Sequence, residues 1–71
     1  MDKKNVILIV NGLTASIPKR LIHVCISNKR FYNGFVVEYD EESLIFTDRK
    51  LGTITIPYSQ ILNIEPFIER W

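Results

Sequence analysis

The sequence predicts an all-β domain folded as a small, strongly bent barrel. Its apolar residues alternate with polar ones along short runs, whereas an amphipathic helix would space them three and four residues apart. β-Branched and aromatic residues dominate these runs, and turn-forming residues separate them at close intervals. So many short strands in 71 residues can bury their apolar faces only if the sheet bends back on itself.

Length and composition indicate one domain that associates with itself. The chain is 46% hydrophobic and 24% charged, which excludes disorder. A domain of this size buries only about 60% of its unfolded surface, and its single Cys and single His supply neither a disulfide nor a metal staple. We divide it into an N-terminal strand and connection (1–20), a barrel (21–66) and a tail (67–71).

The charge balance excludes a protein that binds polyanions through a strong overall field. Nine basic and eight acidic residues give a net charge of +1, so any such site must be local. The lone Cys25 favours a reducing compartment. No apolar run approaches the roughly 18 residues of a membrane span, and we expect a cytoplasmic protein with no membrane partner.

The first two predicted strands are Asn5–Val10 and Leu21–Ser27. Five of the six residues in Asn5–Val10 are apolar and an Asn-Gly pair follows them, which is typical of a strand closed by a turn. In Leu21–Ser27 the apolar residues Ile22, Val24 and Ile26 share one face, as the two-residue period of a strand requires.

The longest predicted strand is Phe31–Tyr39, which contains Gly34. A glycine inside a strand marks a bend, a bulge or a close backbone approach, and we expect a side chain here to meet the opposite wall of the barrel. Phe31, Phe35 and Val37 share one parity of this strand, which favours their lying in the core.

The last three strands are predicted from their turns. Leu44–Thr47 and Thr53–Ile56 flank a five-residue hairpin connection in which Gly52 supplies a positive φ angle. Ile61–Ile64 is the final strand, and Pro66 stops it.

Two segments resemble the motifs of the Sm and Sm-like family, which includes bacterial Hfq. Val24–Val36 looks like the first motif, in which a bending glycine, here Gly34, leads towards an Asp, here Asp40. Leu51–Pro66 looks like the second motif in length and in its apolar and glycine positions. The resemblance covers residues 22–66 and implies a five-stranded Sm-like barrel that assembles into a ring of about five to seven subunits.

The resemblance also implies where bases bind. In the family the base-binding groups lie on two loops, which fall here on the segment from Asp40 to Ser43 and on Pro57-Tyr58. The first loop is shorter than in the family, with Ser43 in the place of an Asn. Pro57-Tyr58 replaces the usual Arg-Gly or Lys-His pair, and the family's N-terminal helix gives way to the predicted first strand.

The residues themselves leave two readings of Tyr58 and Ser59. An aromatic ring beside a hydroxyl on a rigid turn can stack on a base and bond its edge. The alternative is a tyrosine that packs across a subunit contact.

Short basic segments are the other candidates for nucleic-acid contacts. Lys29 and Arg30 precede two aromatic residues, a composition suited to phosphate contact and base stacking, although a polar turn followed by core aromatics fits as well. Arg49 and Lys50 form another basic pair, which a ring would multiply into a circle of positive charge.

Acidic and metal-ligating residues argue against an enzyme. Glu41 and Glu42 lie with Asp40 on an exposed turn without a pocket, where they would repel RNA and have no catalytic partner. His23 and Cys25 share a strand face, but a structural metal needs four ligands. We expect no catalytic residue, no metal and no cofactor.

The sequence therefore favours a homo-oligomeric Sm-like ring that binds single-stranded RNA or DNA and serves in RNA processing or chaperoning. The alternative is a small-barrel assembly module that binds protein and no nucleic acid. The fold alone does not separate these hypotheses.

Overall fold

The computed structural model describes residues 1–27 and 29–68, and within them the chain forms one helix followed by a five-stranded sheet. The elements are α1 (Lys3–Thr14), β1 (Ile22–Cys25), β2 (Phe31–Tyr39), β3 (Ser43–Asp48), β4 (Gly52–Pro57) and β5 (Asn63–Pro66), with a 3₁₀ turn at Tyr58–Gln60. All strand pairs are antiparallel, in the order β4-β3-β2-β1-β5. The predicted five β-strands are present, but the helix α1 makes the domain mostly β where an all-β chain was predicted. The sheet is open, with β4 and β5 as its edges.

The predicted N-terminal strand is wrong, because Asn5–Val10 lies inside α1. The Asp2 side chain caps the helix by accepting a hydrogen bond from the Asn5 N–H at 2.8 Å. Val6 and Val10, one helical turn apart, are both buried against the sheet. A short, continuous apolar run fits a strand or a buried helix equally well, and here capping and the packing of one helix face favour the helix.

The core lies between α1 and one face of the sheet. Every other residue of β1 and β3 is buried. Ile22 and Val24 share one face of β1, as predicted, and this face lies in the core. The buried apolar side chains are Val6, Val10, Ile22, Val24, Leu44, Phe46, Ile56, Tyr58, Ile61 and Ile64. α1 contacts the edge strand β5, and its buried residues Val6 and Val10 belong to the same core as the strands.

The predicted strand boundaries agree best with the observed ones in the middle of the chain. β2 has the predicted bounds, and β3 and β4 each extend one residue beyond theirs at either end. The last strand begins two residues later than expected, because the Ile61 N–H donates to the Tyr58 carbonyl and continues the 3₁₀ turn. The predicted tail falls partly outside the described residues, which end at Ile68.

The outward face of β2 differs from the prediction. Phe31, Phe35 and Val37 are 54%, 42% and 54% exposed, so the expectation that they lie in the core is wrong. The buried Gly34 belongs to the opposite parity and faces the interior. A one-residue bulge between Val36 and Glu38 then shifts the register with β3.

Gly34 lies where two strand backbones approach closely. A Cβ atom built on it would overlap the main-chain carbonyl of Thr47 and approach Cα of Asp48 at 3.2 Å. The close approach expected from the sequence is therefore present, but the neighbour is the adjacent strand β3 and not an opposite barrel wall. Gly52 has the predicted positive φ angle, 81°.

Within the described ranges, 1–27 and 29–68, no helix has the length and hydropathy needed to cross a membrane.

Candidate nucleic-acid interface

Two basic pairs that are distant in sequence line one groove. Lys29 and Arg30 come from the β1–β2 turn, and Arg49 and Lys50 come from the β3–β4 turn. The turns meet because Gly34 near the start of β2 pairs with Asp48 at the end of β3. We call this region, of about 630 Å³, the basic groove; it is lined by Lys29, Arg30, Phe31, Tyr32, Asn33, Asp48, Arg49, Lys50 and Leu51.

Asp48 fixes the shape of the basic groove. One carboxylate oxygen accepts from the Asn33 N–H at 3.1 Å, and the other accepts from the Lys50 and Leu51 N–H groups, both at 2.9 Å. The Arg49 N–H donates to the Asn33 carbonyl at 2.9 Å. Because these bonds join β2 to the β3–β4 turn, the side chains of the two strands keep a fixed spacing across the groove.

The Asp48 side chain is only 8% exposed and remains ionised. Burial raises the pKa of its carboxyl, but the three backbone N–H donors and the nearby Lys50 charge together outweigh burial and lower the pKa below 3.8. Among the described residues that line it, the groove thus combines four cationic side chains with one carboxylate that is occupied by backbone donors. Its surplus positive charge suits a phosphate backbone.

An aromatic cleft of about 580 Å³ adjoins the basic groove and shares Phe31 and Asn33 with it. Its lining residues are His23, Phe31, Asn33, Glu65, Pro66, Phe67 and Ile68. The His23 ring lies 4.8 Å from the exposed Phe31 ring, centroid to centroid. The Arg49 guanidinium lies 5.3 Å from the centre of the Phe67 ring, so a cation–π contact connects the groove to the cleft.

Sequence reasoning missed Asn33, Glu65 and Phe67, and it considered His23 only as a partly buried side chain or a metal ligand. Each is a single residue on a separate strand or in the tail, without a local motif. The cross-strand register could have revealed them, because His23 pairs with Asn33 on β2 and with Glu65 on β5. That register was not predictable in detail from the turn positions alone.

The candidates taken from the family resemblance lie at the opposite end of β3. Tyr58 is 5% exposed, and its hydroxyl donates to the Asp40 carbonyl at 2.7 Å. Burial raises the pKa of this phenol, and the Asp40 charge raises it further. The ring packs in the core of its own chain, so in this conformation it is not available to stack on a base.

The residues around Tyr58 join the two turns at that end. The Tyr58 N–H donates to the Glu42 carbonyl at 3.1 Å, which ties the β4–β5 turn to the acidic turn. Asp40 and Ser59 are exposed, and Ser43 is half-buried at the start of β3. The structure therefore separates the predicted site residues into a basic group and an acidic group.

The described residues contain no group of three or more His, Cys, Asp or Glu side chains that could hold a metal ion. The two candidates considered from the sequence have other contacts. His23 Nδ1 lies 2.6 Å from Asn33 Oδ1, and the Cys25 thiol donates to the Ser27 carbonyl at 3.0 Å.

Comparison with known proteins gives no relative. No family model matches the chain, and neither a curated protein nor a solved structure matches it significantly. The functional argument therefore depends on the residues and their arrangement.

Proposed function

We propose that this protein is an Sm-like subunit that assembles into a homo-oligomeric ring and binds single-stranded RNA or DNA in RNA processing or chaperoning. The observation that carries this proposal is the convergence of four cationic side chains from two separate turns on one groove beside an exposed phenylalanine. Phosphate contact and base stacking are the two interactions by which proteins hold single strands without reading every base.

The basic groove suits this function better than the end of the sheet that the resemblance indicates. At that end Asp40, Glu41 and Glu42 are exposed on one turn, and the Tyr58 ring is buried. Three carboxylates repel a phosphate backbone, and their effect grows when copies of the turn encircle a pore. We therefore place the nucleic acid on the face that carries the β1–β2 and β3–β4 turns.

Two features of the fold support ring assembly. The open sheet has one edge on β4 and the other on β5, and each edge offers unpaired backbone groups to a neighbouring copy. The chain also has an N-terminal helix, as the family does, where the sequence had predicted a strand.

The first prediction concerns assembly. We expect light scattering at micromolar concentration to give about five to seven times the monomer mass of 8.3 kDa. Pairing of the β4 edge with the β5 edge of the next copy satisfies both edges and closes the assembly. A mass of 8.3 kDa at that concentration would refute the ring.

The second prediction tests the basic groove by salt titration. For single strands, the slope of log K against log salt is about −0.7 for each phosphate contact. The variant ring lacks two cations in every subunit, so we expect Arg49→Ala/Lys50→Ala to flatten the slope by about 1.4 for each subunit that contacts the strand. Fluorescence anisotropy with a labelled oligonucleotide of seven nucleotides measures it.

The matched control for this titration is Lys3→Ala/Lys4→Ala, which removes the same charge from the first turn of α1. We expect its slope to equal that of the unmodified protein. Equal flattening in both double variants would mean that net charge, and not the groove, sets the affinity.

A protein-interaction module is the second candidate, and the exposed apolar residues of β2 favour it. Phe35 and Val37 present 42% and 54% of their surface to solvent on the outside of the sheet, and exposed apolar side chains that adjoin one another mark protein contacts. This candidate replaces the first if no oligonucleotide binds at low salt, where electrostatic screening is weakest.

A further inference from the structure

Three polar side chains form a row across the aromatic cleft. His23 on β1 pairs with Asn33 on β2 and with Glu65 on β5. Residues at paired positions of antiparallel strands project from the same face of the sheet, and all three line the cleft. The row thus places an amide on one side of an imidazole and a carboxylate on the other.

The hydrogen-bonding capacity of this row is only partly used. Asn33 Oδ1 lies 2.6 Å from His23 Nδ1, which assigns the Nδ1 proton to that contact and leaves the Asn33 NH₂ with two donors. Among residues 1–27 and 29–68, the Glu65 carboxylate has one hydrogen bond, from Asn63 Nδ2 at 3.5 Å. Among the described residues, the cleft therefore offers unused donors at Asn33 and two acceptor oxygens at Glu65, one of which also accepts from Asn63.

The rings of His23 and Phe31 provide a stacking surface beside these groups. His23 and Phe31 lie 4.8 Å apart with their planes 36° from parallel, and Phe31 is 54% exposed. A flat ligand placed on this surface would have the Asn33 amide near one part of its edge and the Glu65 carboxylate near another.

We propose that the aromatic cleft binds a guanine base of the strand whose phosphates occupy the basic groove; this inference rests on the proposed function. Guanine carries two adjacent donors, N1–H and the N2 amino group, which match the two oxygens of Glu65. Its O6 acceptor then takes a hydrogen bond from the Asn33 NH₂. As a purine it also covers more of the His23 and Phe31 rings than a pyrimidine does.

The other bases fit this arrangement less well. Adenine and cytosine place an acceptor nitrogen beside their amino group, so one Glu65 oxygen would face a lone pair. Uracil offers a single N–H donor. Each of these three bases would leave a polar group in the cleft without a hydrogen-bond partner or facing a like charge. Such unpaired groups are the usual basis for rejecting a wrong base.

The continuity of the two cavities supports one ligand that spans both. Phe31 and Asn33 line the groove and the cleft, and Arg49 lies over Phe67 at their junction. A nucleotide whose base lies in the cleft would thus direct its phosphate towards Arg49 and Lys50.

The test uses the full chain and labelled heptanucleotides with three uridines on each side of one variable base. We expect guanine at the centre to bind at least about ten-fold more tightly than adenine, cytosine or uracil, since one good bidentate contact gives that discrimination. Inosine, which lacks the N2 amino group, should lose most of the preference. Glu65→Gln should abolish it, because an amide presents only one acceptor.

The matched control is Glu41→Gln, which makes the same charge change on the acidic turn. It should preserve the guanine preference. Equal affinity for all four heptanucleotides, or the same rise in affinity for all of them in both Gln variants, would overturn the inference. In either case the proposed function stands, provided that Arg49→Ala/Lys50→Ala still flattens the salt dependence.

Two further outcomes complete the test. Guanosine monophosphate should displace the guanine heptanucleotide only at a concentration at least about 100-fold above the heptanucleotide's Kd, because it lacks the neighbouring phosphates. Displacement at an equal concentration would assign the cleft to free nucleotides and overturn the strand-bound form. If no heptanucleotide binds at low salt, the inference and the proposed function both fail.

Discussion

Gly34→Ala is expected to lower the melting temperature by on the order of 12 °C or more. The added Cβ would overlap the Thr47 carbonyl of β3, which is backbone and cannot rotate away. Overpacking alone costs about 1–3 kcal/mol, and a clash with a paired strand belongs at the upper end of that range. In a domain of this size each kcal/mol shifts the melting temperature by about 4–8 °C.

The two other glycines supply matched controls for the same substitution. A Cβ at Gly12 meets nothing within 4 Å, and Gly12 lies in α1, so Gly12→Ala should stabilise the protein by about 0.5–1 kcal/mol. Gly52 also has open space, but its φ of 81° strains any other residue, and Gly52→Ala should cost about 1–2 kcal/mol. If the melting temperature of Gly34→Ala were equal to or above that of Gly52→Ala, the close approach of β2 and β3 would be contradicted.

The parts of the fold that local chemistry determines were predictable from the sequence. The alternation of Ile22 and Val24 with polar neighbours predicted that they share one strand face, and Gly52 marked the hairpin between β3 and β4. The run Asn5–Val10 carried no such information, because continuous apolar residues fit a strand and a buried helix alike. Its helical state depends on the Asp2 cap and on packing against residues distant in sequence.

The face of β2 shows the same limit. Phe31 and Phe35 are apolar and share one parity of the strand, which favoured the core, but the opposite parity, which includes the buried Gly34, faces inwards. The local sequence does not decide which of the two faces of such a strand lies in the core when both carry apolar residues. The choice became visible only with the pairing of β2 and β3.

The candidate site was likewise predictable only in part. The cations at Lys29, Arg30, Arg49 and Lys50 were apparent as basic pairs, whereas their convergence depends on how β2 and β3 align. The row of His23, Asn33 and Glu65 depends on the pairing of three strands, two of them distant in sequence. Sequence reasoning recognised the charges and missed the arrangement that brings them to one groove beside the aromatic cleft.

Asp48→Ala is expected to destabilise the protein by on the order of 3 kcal/mol. The change leaves the N–H groups of Asn33, Lys50 and Leu51 without their acceptor. Hydrogen bonds to a charged group contribute about 1.5–3 kcal/mol each, and water reaching the exposed turn offsets part of the loss. Asp48→Asn keeps one acceptor oxygen and should cost less, which thermal melts of the two variants at neutral pH will compare.

The same carboxylate should make stability depend on pH in the acid range. Its pKa in the folded chain lies below the ordinary value of 3.8, because the backbone donors and Lys50 favour the ionised form. The unfolded chain therefore binds the proton more tightly, so the stabilisation by Asp48 is complete above about pH 4 to 5 and is lost as the pH falls through the folded pKa. We expect the difference in melting temperature between the unmodified protein and Asp48→Asn to shrink steadily from pH 5 to pH 2. A constant difference over that interval would mean that the Asp48 carboxylate does not hold the β3–β4 turn as an anion.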